Sequence, residues 1–492
     1  MEGLHILIAI CAIYCAISFL DFFFKSCVHY PYVAFLRGTG LQPGFFNIKW
    51  HTTALNKSIS QFIRSRYKAK AFLQIWFTFG CCVSVCLLPI AFIIIIKSGL
   101  NKMFPTQLTN ESTKSFTMEP IIIGVNIPFN QIWYYCITII FCSIVHELGH
   151  ALAAVCEDVQ ILGVGANVVF IMTMAYVQLK TEALNSLNTL KKLRVLCAGI
   201  WHNLFSAFIL YVCFISLPTF FSPLYSVNIP TITHVVPGSP LYGERGLNNK
   251  DQILKINNCN VDSTDDWYQC LLKSAINKPA LCVKTDIVHE YDESVLVQHS
   301  NTNEVECCDE NKKQNACFEY LEPVNGILEL PQHMCLPVRT VLENSHYCDD
   351  NYNCENDYHC IRPVLANTTS IIHIKRIDKD DVIYIGHPAD LFKNVFISNF
   401  FPKYNFLSSN FPDIVQNLLR YLVTCSLGLA IVNVVPCFWF DGQLIVQTLV
   451  NDFLAKMARK RSTRNTITLF ITTIGTFFIM VNLILTITEY IF

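Results

Sequence analysis

Two histidines and a glutamate in an otherwise apolar stretch are the residues best suited to chemistry. His146, Glu147 and His150 form an H-E-x-x-H pattern within FCSIVHELGHALAAV, residues 141–155. On a helix, positions i and i+4 lie on one face about 6 Å apart, so both imidazoles can reach one metal ion. A glutamate directly after the first imidazole can act as a base on water at that ion. A purely structural polar cluster that ties helices together is the alternative.

A catalytic zinc ion needs three protein ligands and one open position for water. Three acidic residues lie nearby in sequence: Glu157, Asp158 and Glu182. Asp441 is the better candidate, because it ends another uncharged stretch in NVVPCFWFDG, residues 433–442. The alternative is a solvated aspartate at a helix end. We interpret His202 as a core histidine and not as a further ligand.

Long apolar runs predict a polytopic membrane protein. The chain of 492 residues is 52% hydrophobic and 15% charged, whereas soluble domains carry about a quarter charged residues. Spans of roughly 20 residues are predicted at about 4–24, 72–96, 132–155, 195–217, 417–439 and 467–489. The first lacks a basic leader and a cleavage site, so we expect an anchor. A net charge of -1 argues against a nucleic-acid partner.

The distribution of basic residues predicts how the chain crosses the bilayer. Residues 25–70 hold eight basic side chains and no acidic one, and the segments 180–194 and 456–464 are also basic. The positive-inside rule places all three loops in the cytosol. With six spans, both termini and the segment 218–416 then lie on the opposite, lumenal side.

Cysteine usage supports the same orientation. Of 23 cysteines, ten lie close together in the lumenal segment: Cys259, Cys270, Cys282, Cys307, Cys308, Cys317, Cys335, Cys348, Cys354 and Cys360. This predicts a disulfide framework. A zinc knuckle is the rival, but no paired CxxC spacing occurs. Asn110 and Asn367 are predicted lumenal glycosylation sites, whereas Asn56 would be cytosolic and unused.

A further apolar stretch, ILGVGANVVFIMTMAYVQL at 161–179, is predicted not to span the membrane. A seventh span would move the cysteines into the cytosol. The stretch is rich in β-branched and aromatic residues and begins with Gly163 and Gly165. We therefore predict a re-entrant β-hairpin that packs on protein or lines a wet cavity. A tilted half-helix is the alternative.

The two motifs together resemble those of the site-2 protease family of intramembrane zinc metalloproteases. The pair is H-E-x-x-H on one span and N-x-x-P-x-x-x-x-D-G on a later one, and CAGIWHN at 197–203 is similar to the animal branch. The resemblance implies one zinc ion held by His146, His150 and Asp441, with Glu147 as the base. It also implies a substrate-positioning role for Asn203, and that Asn433 and Pro436 shape the loop that presents Asp441. The predicted substrate-binding residues are these three together with two glycines of the predicted hairpin, Gly163 and Gly165. Asn203 matches the asparagine of a Gly-Pro-x-x-Asn motif in which Ile200 replaces the proline.

The lumenal segment contains a stretch similar to PDZ domains of regulated proteases. Residues 232–261, ITHVVPGSPLYGERGLNNKDQILKINNCNV, carry the resemblance, and DVIYIGHP at 381–388 reads as a closing strand. PDZ domains bind extended peptides by strand addition. The cysteine-rich stretch 283–380 is predicted as an insertion. A peptide reader, a size filter or plug, and a structural cap all remain open.

The predicted fold is mainly α: a polytopic helical membrane protein with a re-entrant hairpin and a lumenal PDZ-like, cysteine-rich α+β domain. Its parts are 1–130, a two-span anchor; 131–217 and 417–492, the two halves of a catalytic core; and 218–416, the lumenal domain.

The predicted function is proteolysis of single-span membrane proteins within the lipid bilayer. By resemblance, the substrates are transcription-factor precursors of sterol and stress signalling, first clipped in the lumen, in Golgi or endoplasmic reticulum membranes. The alternatives are a zinc transporter, for which repeated halves are expected but not seen, and a non-catalytic scaffold that binds single-span proteins.

Overall fold

Within the residues that it describes, the computed structural model contains six long apolar helices and several small β-sheets. Contacts divide it into two units, one of Met1–Ile215 with Gln416–Phe492 and the other of Ser216–Val415. The structure describes residues 2–64, 67–104, 131–170, 172–243, 245–295, 298–299, 305–309, 314–321, 332–348, 354–355, 357–365, 368–404, 406–455 and 460–491. The helices long and apolar enough to cross a membrane are Ile8–Ser26, Lys70–Met103, Ile132–Cys156, Thr189–Phe221, Phe411–Val434 and Arg461–Thr488. The predicted polytopic architecture is confirmed.

The first unit opens with an apolar helix, a short helix and a hairpin. Its elements up to the second long helix are α1 (Glu2–Ser26), α2 (Tyr30–Thr39), β1 (Leu41–Gly44), β2 (Asn47–Thr52), α3 (Ala54–Arg64) and α4 (Tyr67–Met103). Helix α2 ends because Gly40 adopts a left-handed conformation with φ of 74° and donates its N–H to the Leu36 carbonyl. A glycine at this position has no Cβ to strain, and the chain turns directly into β1.

The apolar stretch 161–179 forms a β-hairpin, as predicted, and the half-helix alternative is wrong. The elements here are α5 (Ile132–Cys156), β3 (Ile161–Val169), β4 (Met172–Leu179), α6 (Thr181–Asn185) and α7 (Thr189–Phe221). The hairpin belongs to an antiparallel sheet of order β1-β2-β3-β4. Sequence analysis did not predict β1 and β2, although polar and apolar residues alternate over Asn47–His51 of β2, because the two strands are short and lie in a basic loop. At the hairpin tips, Phe46 and Phe170 stack with ring centroids 5.2 Å apart, and Tyr14 of α1 donates to the Phe170 carbonyl.

The second unit is rich in short strands. Its elements are β5 (Tyr225–Val235), β6 (Ile253–Ile256), β7 (Cys259–Asn260), α8 (Thr264–Ile276), β8 (Leu281–Lys284), α9 (Thr285–Tyr291), β9 (Gln298–His299), β10 (Val305–Glu306), β11 (Asn315–Tyr320), β12 (His333–Pro337), α10 (Val338–Glu343), β13 (His346–Tyr347), β14 (Tyr358–Pro363), β15 (Ser370–Arg376), β16 (Val382–Gly386), α11 (Pro388–Asn394) and β17 (Val395–Pro402). The main sheets have the orders β16-β15-β6-β7 and β12-β11-β14-β8-β13, and β17 pairs with β5. Two apolar cores centre on Trp267 and Phe318.

The ten clustered cysteines form disulfides, as predicted. The pairs are Cys259–Cys270, Cys282–Cys354, Cys307–Cys317, Cys308–Cys335 and Cys348–Cys360. The predicted insertion, about 283–380, includes strands of both main sheets of the second unit. Strand β15 lies inside that range, yet its residues pair with β6 and β16 of the first sheet. Sequence alone does not show to which sheet an apolar strand belongs, because strands of either sheet have buried apolar residues.

Three helices complete the first unit: α12 (Phe411–Val434), α13 (Asp441–Phe453) and α14 (Arg461–Ile491). The predicted fifth span, 417–439, is wrong at its end. Helix α12 stops at Val434, before Pro436, and Asp441 begins α13 after a connecting loop. Helix α14 packs on α4, where Ser98 Oγ donates to Asn482 Oδ1 at 2.7 Å. Such interhelical hydrogen bonds help to hold membrane helices together, because lipid is as apolar as the helix surfaces and burying apolar side chains between helices gives little driving force.

Candidate metal centre

Three side chains from two distant helices converge on one point. His146 Nε2 lies 3.0 Å from Asp441 Oδ2, His150 Nε2 lies 3.1 Å from the same oxygen, and the two Nε2 atoms are 3.2 Å apart. Both imidazoles are buried, and the Asp441 side chain is 21% exposed. The i, i+4 spacing on α5 places the imidazoles together, and the start of α13 brings the carboxylate to them.

The orientation of His150 is set by the backbone of α7. Its Nδ1–H donates to the Val195 carbonyl at 2.8 Å, so in the neutral imidazole Nε2 carries a lone pair. That lone pair faces the Asp441 carboxylate, which is also an acceptor. Two acceptors at this distance repel unless a cation, either a proton or a metal ion, lies between them. The arrangement is therefore suited to a cation.

The distances fit a tetrahedral ion of zinc size. Ligand atoms about 2.0–2.2 Å from a tetrahedral zinc ion lie roughly 3.3 Å from one another, close to the three separations of 3.0, 3.1 and 3.2 Å. Two imidazoles and a carboxylate are a donor set that zinc accepts with one position left open. The described residues offer one other group of three potential ligands, Cys282, Cys348 and Cys354, and all three of its sulfurs are in disulfides.

Helix α7 approaches the site through small residues. A Cβ added to Gly199 would lie 2.4 Å from His150 Nε2 and 2.6 Å from His146 Cε1. A Cβ added to Gly149 would lie 2.7 Å from the Ala198 carbonyl oxygen. Contacts this short are not tolerated, so the two glycines allow α5 and α7 to cross at the level of the imidazoles.

Glu147 faces the edge of the sheet. Its Oε2 accepts the Val177 N–H at 2.9 Å, and one turn earlier on α5 Ser143 Oγ accepts the Ala175 N–H at 2.6 Å. Alternate residues of a strand point their N–H groups to the same side. The outward edge of β4 therefore runs along the face of α5 that carries Glu147.

The loop before Asp441 is held by α14 and by its own turn. Phe438 N–H donates to Thr476 Oγ1 at 3.2 Å, and the Pro436 carbonyl lies against Gly475, where a Cβ would be 2.1 Å away. Gly442 is needed because its Cβ would lie 2.2 Å from the Val435 carbonyl oxygen. These contacts fix the direction in which α13 starts and thus the position of Asp441.

Four of the predicted substrate-binding residues lie on three different elements, α7, α12 and β3. Asn203 is buried on α7 beside His146, and Asn433 lies half-buried in the last turn of α12. Gly163 and Gly165 are buried under rings: added Cβ atoms would lie 2.1 Å from the His51 ring and 2.8 Å from the Tyr176 ring.

The other candidate ligands are engaged elsewhere or lie on the surface. Glu157 pairs with Arg194 at 2.8 Å and Asp158 with Lys70 at 2.9 Å, while the exposed Glu182 begins α6. His202 directs Nδ1 at the Ala198 carbonyl, 2.9 Å away. The predicted glycosylation sites Asn110 and Asn367 lie outside the described residues.

Sequence analysis missed Gly199, Ser143 and Thr476. Gly199 stands in the CAGIWHN stretch that was singled out for its resemblance, four residues before Asn203, and its match to the glycine of the Gly-Pro-x-x-Asn motif was the available signal. Ser143 and Thr476 carry no local signal, because their roles depend on strands and loops far away in the chain.

Comparison with known proteins gives a consistent result. A model of peptidase family M50 matches residues 134–482, which include the H-E-x-x-H motif and Asp441. The chain is also 23% identical over 442 residues to a membrane-bound transcription factor site-2 protease homolog of Arabidopsis thaliana. The alignment covers 79% of this chain and 83% of that protein.

Proposed function

The chain belongs to peptidase family M50, and from this premise we propose that it is a zinc-dependent protease that cuts its substrates within the membrane. The observation that carries the proposal is the convergence of His146, His150 and Asp441 directly beside Glu147. His146 Nε2, His150 Nε2 and a carboxylate oxygen of Asp441 would hold the ion. When bound, zinc lowers the pKa of a water molecule and polarises the scissile carbonyl.

Glu147 is proposed to move the proton. Its carboxylate takes a proton from the attacking water and passes it to the leaving amine of the cut peptide bond. The Val177 N–H donates a hydrogen bond to Oε2 of Glu147 and fixes that oxygen. The other carboxylate oxygen can then accept the proton of the attacking water. With Glu147 in this position, the proposed proton transfer needs no second base.

Strand β4 is proposed to hold the substrate in an extended form. A transmembrane helix hides its carbonyl groups in internal hydrogen bonds and must unwind before it can be cut. A peptide that pairs with the outward edge of β4 by strand addition would lie beside Glu147 and His146. The contacts of Ala175 and Val177 with α5 side chains place that edge against the candidate site. Because Ser143 and Glu147 occupy these two N–H groups, the peptide would pair with other groups of the same edge.

The site is proposed to lie in the cytosolic half of the bilayer. An ionic belt of Arg194–Glu157 and Lys70–Asp158 pairs lies just beyond the end of α5. Glu157 follows His150 by seven residues, about 10 Å along a helix. Basic side chains favour the cytosolic side, so the imidazoles would lie about that far inside the cytosolic boundary. The proposal requires a short polar path by which water reaches this depth from the cytosolic face.

The proposed substrates are single-span membrane-bound transcription factors that have first been cut in the lumen. The name of the Arabidopsis relative supports this class, and the five disulfides of the second unit support a lumenal, oxidising location for it. Golgi or endoplasmic reticulum membranes, and sterol and stress signalling, are proposed on the same basis.

The second unit is proposed to contain a PDZ-like fold that acts as a structural cap. Strand addition would use the edge of β17 next to α8. Thr264 N–H at the start of α8 donates to Asn399 Oδ1 of β17 at 2.9 Å, and Tyr268 of α8 packs on Phe392 of the neighbouring α11 with ring centroids 5.2 Å apart. These contacts favour a closed groove over a peptide reader.

The test is Glu147→Gln in full-length protein, expressed in cells that lack the endogenous enzyme and supplied with a truncated single-span substrate. We expect cleavage to fall by about 10²–10⁴-fold, the range for loss of a general base, with one zinc ion per chain retained. A zinc transporter or a scaffold would keep most of its function.

The matched control is Glu182→Gln, the same change at the exposed start of α6. It should leave both cleavage and zinc content unchanged. Cleavage by the Glu147→Gln protein at the unaltered rate would refute the proposal.

A further inference from the structure

An unsatisfied amide lies directly behind the candidate metal centre. Asn203 on α7 is fully buried, and its Nδ2 lies 3.4 Å from Nδ1 of His146. Within the part of the chain that the structure describes, its Oδ1 has no hydrogen-bond partner. Leaving a buried acceptor unpaired costs about 1–3 kcal/mol, so this arrangement needs a physical reason.

The reason lies in what a ligand imidazole requires. His146 Nε2 faces Asp441 and His150, and a neutral imidazole that gives this lone pair to a metal ion carries its hydrogen on Nδ1. That hydrogen needs an acceptor. A half-turn of the Asn203 amide exchanges its two terminal atoms, which brings Oδ1 to Nδ1 and satisfies both groups at once.

We propose that Asn203 is a positioning residue of the metal centre, whose Oδ1 accepts the Nδ1–H of His146 when zinc is bound. It does for His146 what the Val195 carbonyl does for His150. The inference rests on the proposed function in one respect only, which is that His146 is a zinc ligand. It differs from the role towards substrate that the sequence resemblance implies for Asn203.

An amide is suited to both states of the site. Without the ion, the His146 Nε2–H can donate to Asp441 while Nδ1 accepts from Asn203 Nδ2, as the atoms stand. With the ion, the amide turns and Oδ1 accepts. A carboxylate can serve only the second state and an alkyl side chain serves neither.

The test is the zinc affinity of purified full-length protein in detergent, measured by competition with a chromophoric chelator. Loss of such an outer partner typically weakens metal binding by 10–100-fold. We expect the zinc affinity of Asn203→Leu to fall by this amount. Asn203→Asp keeps the acceptor and should bind zinc at least as tightly as the unaltered protein. The visible spectrum of bound Co²⁺ should change in Asn203→Leu and stay tetrahedral in Asn203→Asp.

The matched control is Asn482→Leu, the same change at a buried asparagine that bonds Ser98 and Ile95 on the α4–α14 contact. It should leave zinc affinity unchanged. Thermal unfolding of the zinc-free proteins separates a loss of folding from a loss of affinity.

Two outcomes have different meanings. If Asn203→Leu binds zinc as tightly as the unaltered protein, or if Asn203→Asp is weakened as much as Asn203→Leu, the positioning role is wrong. If the unaltered protein binds no zinc, the proposed function itself fails.

Discussion

At the scale of single residues, the candidate centre depends on the missing Cβ of a glycine as much as on the side chains that converge there. Gly199 lies so close to both imidazoles that any side chain would occupy the space in which their Nε2 atoms meet. On α7, the Val195 carbonyl accepts from His150, and Asn203 lies beside His146. Helix α7 thus contacts both imidazoles of α5 without supplying a candidate ligand.

We expect Gly199→Ala to weaken zinc binding. Overpacking of a tight site costs about 1–3 kcal/mol, which is roughly a 5- to 150-fold loss in affinity. Gly428→Ala on α12 is the matched control, because a Cβ there meets nothing within 4 Å. Zinc competition on both purified proteins is the measurement, and equal affinities would contradict the role of Gly199.

The convergence of His146, His150 and Asp441 could be predicted from sequence because a helix fixes the spacing of the two imidazoles, and because an aspartate beside a long apolar run is costly unless it is used. Gly199 could not be assigned in the same way. Its importance comes from a helix crossing, and a crossing between segments far apart in the chain leaves no periodic pattern in either.

At the scale of elements, β4 and α5 are joined by two side-chain hydrogen bonds. Ser143 and Glu147 accept from alternate N–H groups of β4, so the strand has a defined height and register against the helix. The hairpin was predictable from its β-branched residues and glycines. Its sheet partners were not, because β1 and β2 lie in a basic loop whose pairing is set by turns at Phe46 and Phe170.

We expect Ser143→Ala to impair use of substrate without affecting the metal. A hydrogen bond contributes about 0.5–1.5 kcal/mol, so kcat/KM should fall roughly 2- to 13-fold as β4 loosens beside Glu147, mainly through KM. Ser426→Ala on α12, which removes a buried hydroxyl beside Cys142, is the control. An unchanged KM, or a parallel loss of zinc, would show that Ser143 does not hold the strand.

At the scale of the whole molecule, the two units are stabilised by different physics. The first depends on packed helices and a few buried hydrogen bonds, and the second on disulfides and small apolar cores. The clustering of ten cysteines predicted that they form disulfides. It did not predict which cysteines pair, because many pairings are compatible with ten cysteines and only the strand registers select one. In the second unit, Asp251 is fully buried and pairs with Arg376 at 2.7 Å and Lys379 at 2.5 Å.

We expect the second unit to lose stability in acid through Asp251. Burial alone would raise the pKa of its carboxyl group, but hydrogen bonds from Lys379, the Asn248 N–H and Arg376 outweigh burial and hold that pKa below its ordinary value of 3.8. Because the folded-state pKa is lowered, the stabilisation is complete above about pH 4 and is lost as the pH falls through the folded value.

The measurement is pulse proteolysis of the full-length protein in urea, with the cut sites in the second unit followed between pH 7 and pH 2.5. Asp251→Asn should lower the urea midpoint at neutral pH and flatten its decline in acid. Asp286→Asn, at an 80% exposed side chain, should follow the unaltered protein. An identical acid decline in Asp251→Asn would remove Asp251 as the cause.

The two imidazoles and the carboxylate that meets them stand 291 positions apart from His150 to Asp441, with the disulfide-bonded unit between them. During synthesis, the chain therefore exposes both imidazoles long before their carboxylate partner exists. Closing so long a loop carries an entropic cost that the remaining helices must offset. We therefore expect a nascent chain to be inert, and any proteolytic activity towards neighbouring proteins to arise only after α13 and α14 have been made and docked.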